Sequence, residues 1–181
     1  MDRIFREIKD CKICARAAVG LLVPGEGSVD ARVVFVGEAP GKLEAATGRP
    51  FVGRSGQLLR SLINGLGLNE SDVFITSAVK YLPSYITPKL KDIEHGRLHL
   101  DKQLRAINPE IVVLLGSVAA RTVLREKYSL TNNHGQVIIR DGIKYFLAYH
   151  PAAPLHNPKL RTELEKDFIK LRSLLDGQNV S

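Results

Sequence analysis

The segment VFVGEAPGKLEAATGRPFVGRSG, residues 34–56, sets the architecture of the chain. It opens inside ARVVFVG, a short β-branched apolar run that ends at Gly37 and predicts a buried strand. A glycine-rich loop follows, after which RSGQLLRSLINGLGL has apolar residues at helical spacing and stops at glycine. A strand, a loop and a helix in this order predict the first unit of a sheet that is covered by helices.

The same alternation continues along the chain. DVFITSAV and EIVVLLG predict two more buried strands, and QVIIRDGIKYFLAYH predicts two strands around an Asp141-Gly142 turn. Helices are predicted over residues 2–10 and 89–107, in SVAARTVLREK, and over the last twenty or so residues. We therefore expect an α/β fold with a mostly parallel sheet and helices on both of its faces, formed by residues 1–181 as a single domain.

The composition is that of an ordinary globular protein with a basic surplus. Hydrophobic residues make up 44% of the 181 residues, and 26 Lys and Arg stand against 19 Asp and Glu, a net charge of +7. Such a surplus favours a polyanionic partner, nucleic acid first, although a basic surface that only keeps the protein in solution has the same numbers. No apolar signal core and no run of membrane-spanning length is visible, so we expect a cytoplasmic protein without a membrane partner.

Chemistry is expected where the parallel strands end, because ligands of such sheets bind at the carboxyl ends of the strands. Three loops leave those ends, and they carry Glu38, Phe51, the Ser77 region and His150. Glu38 can position a water or cap a turn, and Phe51 can stack on a base or fill the core. His150 can donate a hydrogen bond to developing negative charge or hold the loop HPAAPLHNP.

The two cysteines lie in CKIC, as Cys11 and Cys14. This spacing suits a metal or a redox pair. Two ligands do not complete a tetrahedral site, however, and two small buried thiols explain the pattern equally well.

Taken together and in order, VGEAPG…GRPFVGRSGQLL, VFITSAVK, INPEIVVLLGSVAA and YHPAAPLHNP resemble the family 4 uracil-DNA glycosylases of bacteria and archaea. The resemblance covers nearly the whole chain. It implies the fold of that family, a three-layer α/β/α sandwich with a mostly parallel four-stranded central sheet. It also implies a monofunctional DNA glycosylase of base-excision repair that acts at the nucleoid. Such an enzyme flips a deaminated base, uracil before others, out of DNA and hydrolyses its N-glycosidic bond, leaving an abasic site. The implied partner is DNA that contains a deaminated base, and a monomer is our default expectation.

The resemblance also implies residue roles. His150 would stabilise the leaving base and Glu38 would hold the attacking water. The base pocket would be formed by Gly37, Ala39, Pro40, Gly41, Phe51 and Ser77. The DNA-binding residues would be Arg54, Ser55, Pro151, Ala152, Leu155, His156 and Arg161, with the apolar Leu155 as the wedge that enters the base stack.

Two departures from the family pattern qualify this reading. Family members usually carry four cysteines that bind a [4Fe–4S] cluster. Here Cys11 and Cys14 match the first pair, whereas Tyr81 and, by counting, Gly96 stand at the other two positions. One histidine beside Gly96, His95, does not replace two cysteines. We therefore expect no cofactor, with Cys11 and Cys14 as a remnant of the cluster site and the Tyr81 ring filling the gap.

The second departure is Ser77, which stands where the family has an asparagine that reads the uracil edge. A serine hydroxyl is shorter and offers one donor. The expected selectivity for uracil is therefore weaker or shifted. A hypoxanthine or xanthine glycosylase, or a catalytically weak module that binds damaged DNA, stand as the alternatives.

Overall fold

A mixed β-sheet of six strands forms the centre of the protein, which the computed structural model describes over residues 1–69 and 71–177. In chain order the strands are β1 (Ala18–Val19), β2 (Glu26–Gly27), β3 (Val33–Gly37), β4 (Val73–Ser77), β5 (Leu82–Pro83), β6 (Ile111–Leu115), β7 (Val137–Arg140) and β8 (Ile143–Ala148). The large sheet has the order β2-β4-β3-β6-β8-β7, and β1 pairs with β5 apart from it. The four inner strands are parallel, and β2 and β7 are antiparallel edge strands. The parallel four-stranded centre confirms the predicted fold class, and the edge strand β2 adds to it.

Helices connect these strands. In chain order they are α1 (Asp2–Lys9), α2 (Lys12–Ala17), α3 (Lys42–Thr47), α4 (Arg54–Gly65), α5 (Leu90–Ile107), α6 (Ser117–Leu124), α7 (Leu130–Asn133), α8 (Ala153–His156) and α9 (Leu160–Leu175). The sequence predicted the longer helices, and it treated the segments that hold α3 and α8 as loops. The predicted C-terminal helix extended over residues 178–181, which lie outside the described part of the chain.

The two faces of the sheet carry two separate hydrophobic cores. Along β3, Val33 and Phe35 belong to one core and Val34 and Val36 to the other, as the two-residue period of a strand requires. The first core is closed by α4 and α9 through Leu59, Ile63, Leu164, Phe168 and Leu171. The second is closed by α5 and α6 through Leu100, Leu104, Ala119, Ala120 and Leu124. Because helices cover both faces, the central strands β3 and β6 have no polar side chain, and the result is a three-layer sandwich.

This arrangement places the carboxyl ends of the four parallel strands at one edge of the sheet. Gly37 at the end of β3 is paired with Ser77 at the end of β4, and Leu115 of β6 is paired with Ala148 at the end of β8. The loops that follow β3, β4 and β8 therefore all leave the sheet at this edge. No described helix is long and apolar enough to cross a membrane.

Candidate active site

A cavity of about 420 Å³ opens at this edge of the sheet. Its volume is within the range of small-ligand sites. Ten residues that the sequence had singled out line it: Glu38, Ala39, Pro40, Gly41, Phe51, Ser55, Ser77, His150, Ala152 and His156. Six others were not anticipated: Val23, Lys42, Glu44, Pro50, Leu82 and Ile86. The structure thus brings residues of three separate loops to one cavity.

Glu38 offers a carboxylate that is not engaged elsewhere. Its side chain is half-buried and makes no hydrogen bond or ion pair with any described residue. Its backbone is fixed, since the carbonyl oxygen accepts a hydrogen bond from the Val79 N–H at 3.0 Å. Burial raises the pKa of the Glu38 carboxyl above its ordinary value. The group is therefore positioned to accept a proton from a bound water.

His150 is held in one tautomer by its own loop. Its Nδ1 accepts a hydrogen bond from the Ala152 N–H at 3.0 Å. In a neutral imidazole the other nitrogen, Nε2, then carries the proton. Burial lowers the pKa of His150 to about 4, so the ring is neutral at pH 7. His150 therefore presents an Nε2–H donor without carrying a charge.

The Phe51 ring lies directly against Gly37. A Cβ on Gly37 would be 2.5 Å from the ring's Cζ and 3.6 Å from His150 Nε2. The Phe51 and His150 rings are stacked, with centroids 5.8 Å apart and planes inclined by 30°. Gly37 itself is absent from the cavity lining, and its contribution is to leave room for the aromatic wall.

The backbone at Phe51 adopts a conformation that is rare for a residue with a side chain. Its φ is +52°, in the left-handed region. Arg60 donates hydrogen bonds to the Phe51 carbonyl at 3.1 Å and to the Pro50 carbonyl at 2.9 Å. On the other side, the buried Glu44 carboxylate accepts from the N–H groups of Val52 and Gly53 at 2.9 and 2.8 Å. A backbone conformation of this kind costs on the order of 1–3 kcal/mol and persists only where surrounding contacts hold it. The hydrogen bonds from Arg60 and to Glu44 are such contacts.

Glu44 and Arg60 are supporting residues that the sequence did not reveal. An acid in a glycine-rich loop and an arginine on an amphipathic helix are both common on protein surfaces. Their importance follows from the turn that they bracket, and this turn becomes visible only in three dimensions.

We expect the Glu44→Ala variant to lose roughly 10- to 100-fold of the catalytic rate at this cavity, because misplacement of a positioning group by about 1 Å has effects of this size. Single-turnover rates on the substrate, measured beside thermal unfolding, test this. Glu44→Gln keeps one acceptor oxygen for the two N–H groups and should lose less. Equal rates for wild type and Glu44→Ala would show that Phe51 is held without this carboxylate.

The hydroxyl proton of Ser77 is already donated in a hydrogen bond within the protein. Its Oγ donates to the Val79 carbonyl at 2.8 Å, so the lone pairs of that oxygen are what it can offer to a ligand. Beneath it, the fully buried Lys80 donates from Nζ to the Ser77 carbonyl at 2.6 Å and to Thr76 Oγ1 and Gln103 Oε1, both at 2.7 Å. Burial lowers the pKa of Lys80 to about 7. The end of β4 is thus fixed by a polar network below the cavity floor.

The residues predicted to bind DNA are spread around the site. Ser55, Ala152 and His156 line the cavity. Arg54 is exposed at the first position of α4, and Leu155 is 43% exposed on α8. Pro151 is buried, and the exposed Arg161 pairs with Glu165 at 2.9 Å. An apolar side chain and a cation are therefore presented to solvent, and their contact with DNA stays a prediction.

The two cysteines lie beside two histidines. The ligand atoms of Cys11, Cys14, His95 and His99 all lie within 4.8 Å of one another. The sequence interpretation, which considered only the histidine beside Gly96, His95, was incomplete, because His99 lies one helical turn beyond His95 on α5. Two histidines four residues apart on a helix are the signal that could have revealed the group.

These residues do not fit the four-thiolate set of a [4Fe–4S] cluster. The buried Tyr81 packs with Cys14 and donates its hydroxyl to Asp92 at 2.7 Å. Gly96 faces the main chain of β4's following loop, where a Cβ would be 2.3 Å from the Ala78 carbonyl oxygen. A cysteine at position 96 would therefore collide with backbone, and only two thiolates are available to iron.

The fold and the cavity define a class of protein. A neutral imidazole donor, a free carboxylate and an aromatic wall meet at the carboxyl edge of an α/β/α sandwich. This is the equipment of a hydrolase that holds a planar ring beside the bond it cleaves.

Comparison with known proteins specifies the class. The family model of the Uracil DNA glycosylase superfamily matches residues 24–172. The Type-4 uracil-DNA glycosylase of Archaeoglobus fulgidus is 39% identical over 96% of this chain and 92% of its own length. That of Saccharolobus solfataricus is 36% identical over 100% and 89%, and that of Thermotoga maritima is 36% identical over 97% and 94%. The chain belongs to the uracil DNA glycosylase superfamily.

Proposed function

We propose that the protein is a monofunctional DNA glycosylase of base-excision repair that removes uracil from DNA. The observation that carries this is the meeting of Glu38, His150 and Phe51 in one cavity of base-binding size. The relatives that match nearly the whole chain are named for the same activity, which disfavours a shifted specificity or a module without catalysis.

Substrate binding begins with the DNA backbone. The net charge of +7 favours contact with phosphates, to which the exposed Arg54 and Arg161 contribute in our proposal. Extrusion of the target nucleotide costs a few kcal/mol in lost stacking and pairing. The exposed Leu155 is the apolar side chain that enters the vacated stack, and Phe51 gives the flipped base a face to lie on.

The chemical step separates charge. As the bond between the sugar C1′ and the base nitrogen breaks, its electron pair goes to the base, and negative charge collects on the base oxygens. The Nε2–H of His150 donates to such an oxygen, and its neutrality lets it do so without losing its proton. Water adds to the oxocarbenium-like C1′, and the Glu38 carboxylate orients this water and accepts its proton.

Lysine chemistry at the sugar is not part of this scheme. Lys80 is enclosed beneath β4 by three acceptors and does not line the cavity. Lys42 does line it, but its side chain is exposed to solvent and is not enclosed beside the reacting atoms. We propose that water is the nucleophile, and failure of borohydride to trap a protein–DNA adduct is the expected result.

Purified full-length protein and an oligonucleotide with one uracil test the proposed function. Alkaline cleavage after incubation should reveal an abasic site at the position of the uracil, and size-exclusion chromatography should show one chain of residues 1–181 per particle. The range from about pH 6 to pH 9 spans the titration of an ordinary histidine. Absence of abasic product throughout this range would contradict the proposal.

Ser77 sets how strictly uracil is recognised. Its oxygen can accept from the N3–H of uracil but, while it donates to Val79, offers no donor to O4. We expect Ser77→Asn, which supplies a donor and an acceptor, to raise the uracil-over-cytosine ratio of kcat/KM by about 5- to 150-fold. Ser77→Ala is the matched control without polar atoms. A Ser77→Asn ratio equal to that of the wild type would show that the reading groups lie elsewhere.

A further inference from the structure

We propose that Cys11, Cys14, His95 and His99 bind one Zn²⁺ ion in a tetrahedral structural site. The proposal is independent of the catalytic cavity, since none of these four residues lines it. It replaces the interpretation of the cysteine pair as a remnant.

The distances between the four side chains fit a single ion. Cys11 Sγ lies 3.2 Å from His95 Nε2, and Cys14 Sγ lies 3.6 Å from His99 Nε2. Around tetrahedral zinc, bond lengths near 2.3 Å to sulfur and 2.0–2.1 Å to nitrogen place these atoms about 3.6 Å apart. All four ligand atoms already lie within 4.8 Å of one another. The two sulfur–nitrogen pairs are therefore already at about the separation that zinc requires, and the most widely separated ligand atoms would have to approach by about 1 Å.

The donor set and its spacing also suit zinc. The pairs follow the pattern Cys-x2-Cys and His-x3-His, which is common in structural Cys₂His₂ sites. Cys14 is the buried member at the third position of α2, and His95 and His99 lie on the same side of α5. Two thiolates neutralise the charge of the ion, so the site is stable in apolar surroundings.

The structure gives these histidines no other polar role. The only hydrogen-bonding partner of each ring among the described residues is a cysteine sulfur. His99 is buried, and its Nδ1 has no partner within the described part of the chain. The two rings meet edge to face with centroids 5.2 Å apart. Each Nε2 thus faces a thiol, which is a weak hydrogen-bonding group, and both nitrogens are directed toward the position that a metal ion shared by the four residues would occupy.

The compactness of the group distinguishes one ion from an iron–sulfur cluster. In a [4Fe–4S] cluster each protein ligand binds a different iron, and in a Cys₂His₂ [2Fe–2S] centre the cysteines and histidines bind opposite irons. Both arrangements hold sulfur and nitrogen ligands farther apart than the contacts of 3.2 and 3.6 Å. The donor set thus favours a single ion over either cluster.

Zinc at this position would tie the N-terminal helices to the body of the protein. Cys11 is the N-cap of α2, and His95 lies within α5, 84 residues later in the sequence. The exposed Glu7–Lys102 pair also links α1 to α5, but solvent weakens it. Because binding free energy at a structural zinc site adds to folding free energy, removal of the ion should loosen α1 and α2 first.

Elemental analysis of the full-length protein, purified after growth with zinc, tests the proposal. We expect about one zinc atom per chain and no acid-labile sulfide. After exchange with Co²⁺, thiolate-to-metal charge transfer and tetrahedral ligand-field bands should appear in the absorption spectrum. Removal of the metal by a strong chelator should lower the midpoint of thermal unfolding by more than about 5 °C.

Three variants sharpen the test. His99→Ala should lose the zinc and the cobalt spectrum. His95→Cys should keep the metal and strengthen the charge-transfer band, because it replaces one ligand with a thiolate. This gain tests the site even if His99→Ala fails to fold. His134→Gln, which alters a histidine bonded to Asp167 elsewhere, is the matched control and should keep its zinc. Less than about 0.1 zinc per chain in wild-type protein, or iron with stoichiometric sulfide, would overturn the proposal.

Discussion

Replacement of His150 by alanine is expected to slow single-turnover excision of uracil by about 10²- to 10³-fold, the usual cost of losing one preorganised donor to a developing anion. The Nε2–H of His150 is such a donor, because the Ala152 N–H occupies Nδ1 and fixes the tautomer before substrate arrives. Binding of uracil-containing DNA should change little, since the donor matters most when charge has developed.

Rapid-quench measurements at saturating enzyme, with DNA affinity measured separately, check this expectation. His156→Ala is a useful contrast, because His156 lines the cavity rim on α8 and its loss should weaken binding more than chemistry. If His150→Ala retained the wild-type rate, the anion would have to be stabilised by another group.

The pH dependence of the wild-type rate adds a second test of His150. Because burial lowers the pKa of the ring to about 4, His150 is neutral from about pH 5 upward and keeps its Nε2–H throughout. No step in rate should therefore appear near pH 6.5, where an ordinary histidine titrates. A step there that vanished in His150→Ala would contradict a neutral donor.

Replacement of Glu38 by glutamine is expected to lower the excision rate by about 10²- to 10⁴-fold, the range for loss of a general base. The amide matches the carboxylate in shape and still contacts a water, but it cannot accept the proton. The prediction depends on the carboxylate being available, and no described residue engages it.

The fall in rate at low pH, the acid limb of the pH profile, should also depend on Glu38. Burial raises the pKa of Glu38 above 4.5, so protonation begins at a higher pH than for an exposed glutamate. As pH falls through this raised pKa, the base is lost and the rate should fall with it, whereas the residual rate of Glu38→Gln should be flat over the same interval. An acid limb that persisted unchanged in Glu38→Gln would assign it to another residue.

Much of the site could be predicted because it depends on where buried strands end. The apolar runs before Gly37 and Ser77 are short and β-branched, which identifies parallel strands. Parallel strands deliver their carboxyl ends to one edge, so Glu38, Ser77 and His150 had to lie near one another. No contact between particular side chains was needed for that inference.

Other features depend on contacts that the sequence does not encode locally. The left-handed backbone of Phe51 depends on hydrogen bonds made by Glu44 and Arg60. Glu44 lies on a short helix, α3, within a segment that the sequence predicts as a loop. His99 meets Cys14 across 85 residues, a pairing set by how α5 docks against α2. Likewise, the collision that keeps Gly96 a glycine involves the backbone of another segment.

The ion pairs of Glu26 have a consequence for how the folded molecules behave toward one another. Arg49, from the loop that carries Phe51, and Arg60, from α4, both form ion pairs with the Glu26 carboxylate. Glu26 belongs to the two-residue edge strand β2. Short, charged edge strands discourage a second sheet from adding to the first. The two arginines thus make the β2 edge a charged one, which is a poor template for pairing with a strand of another molecule.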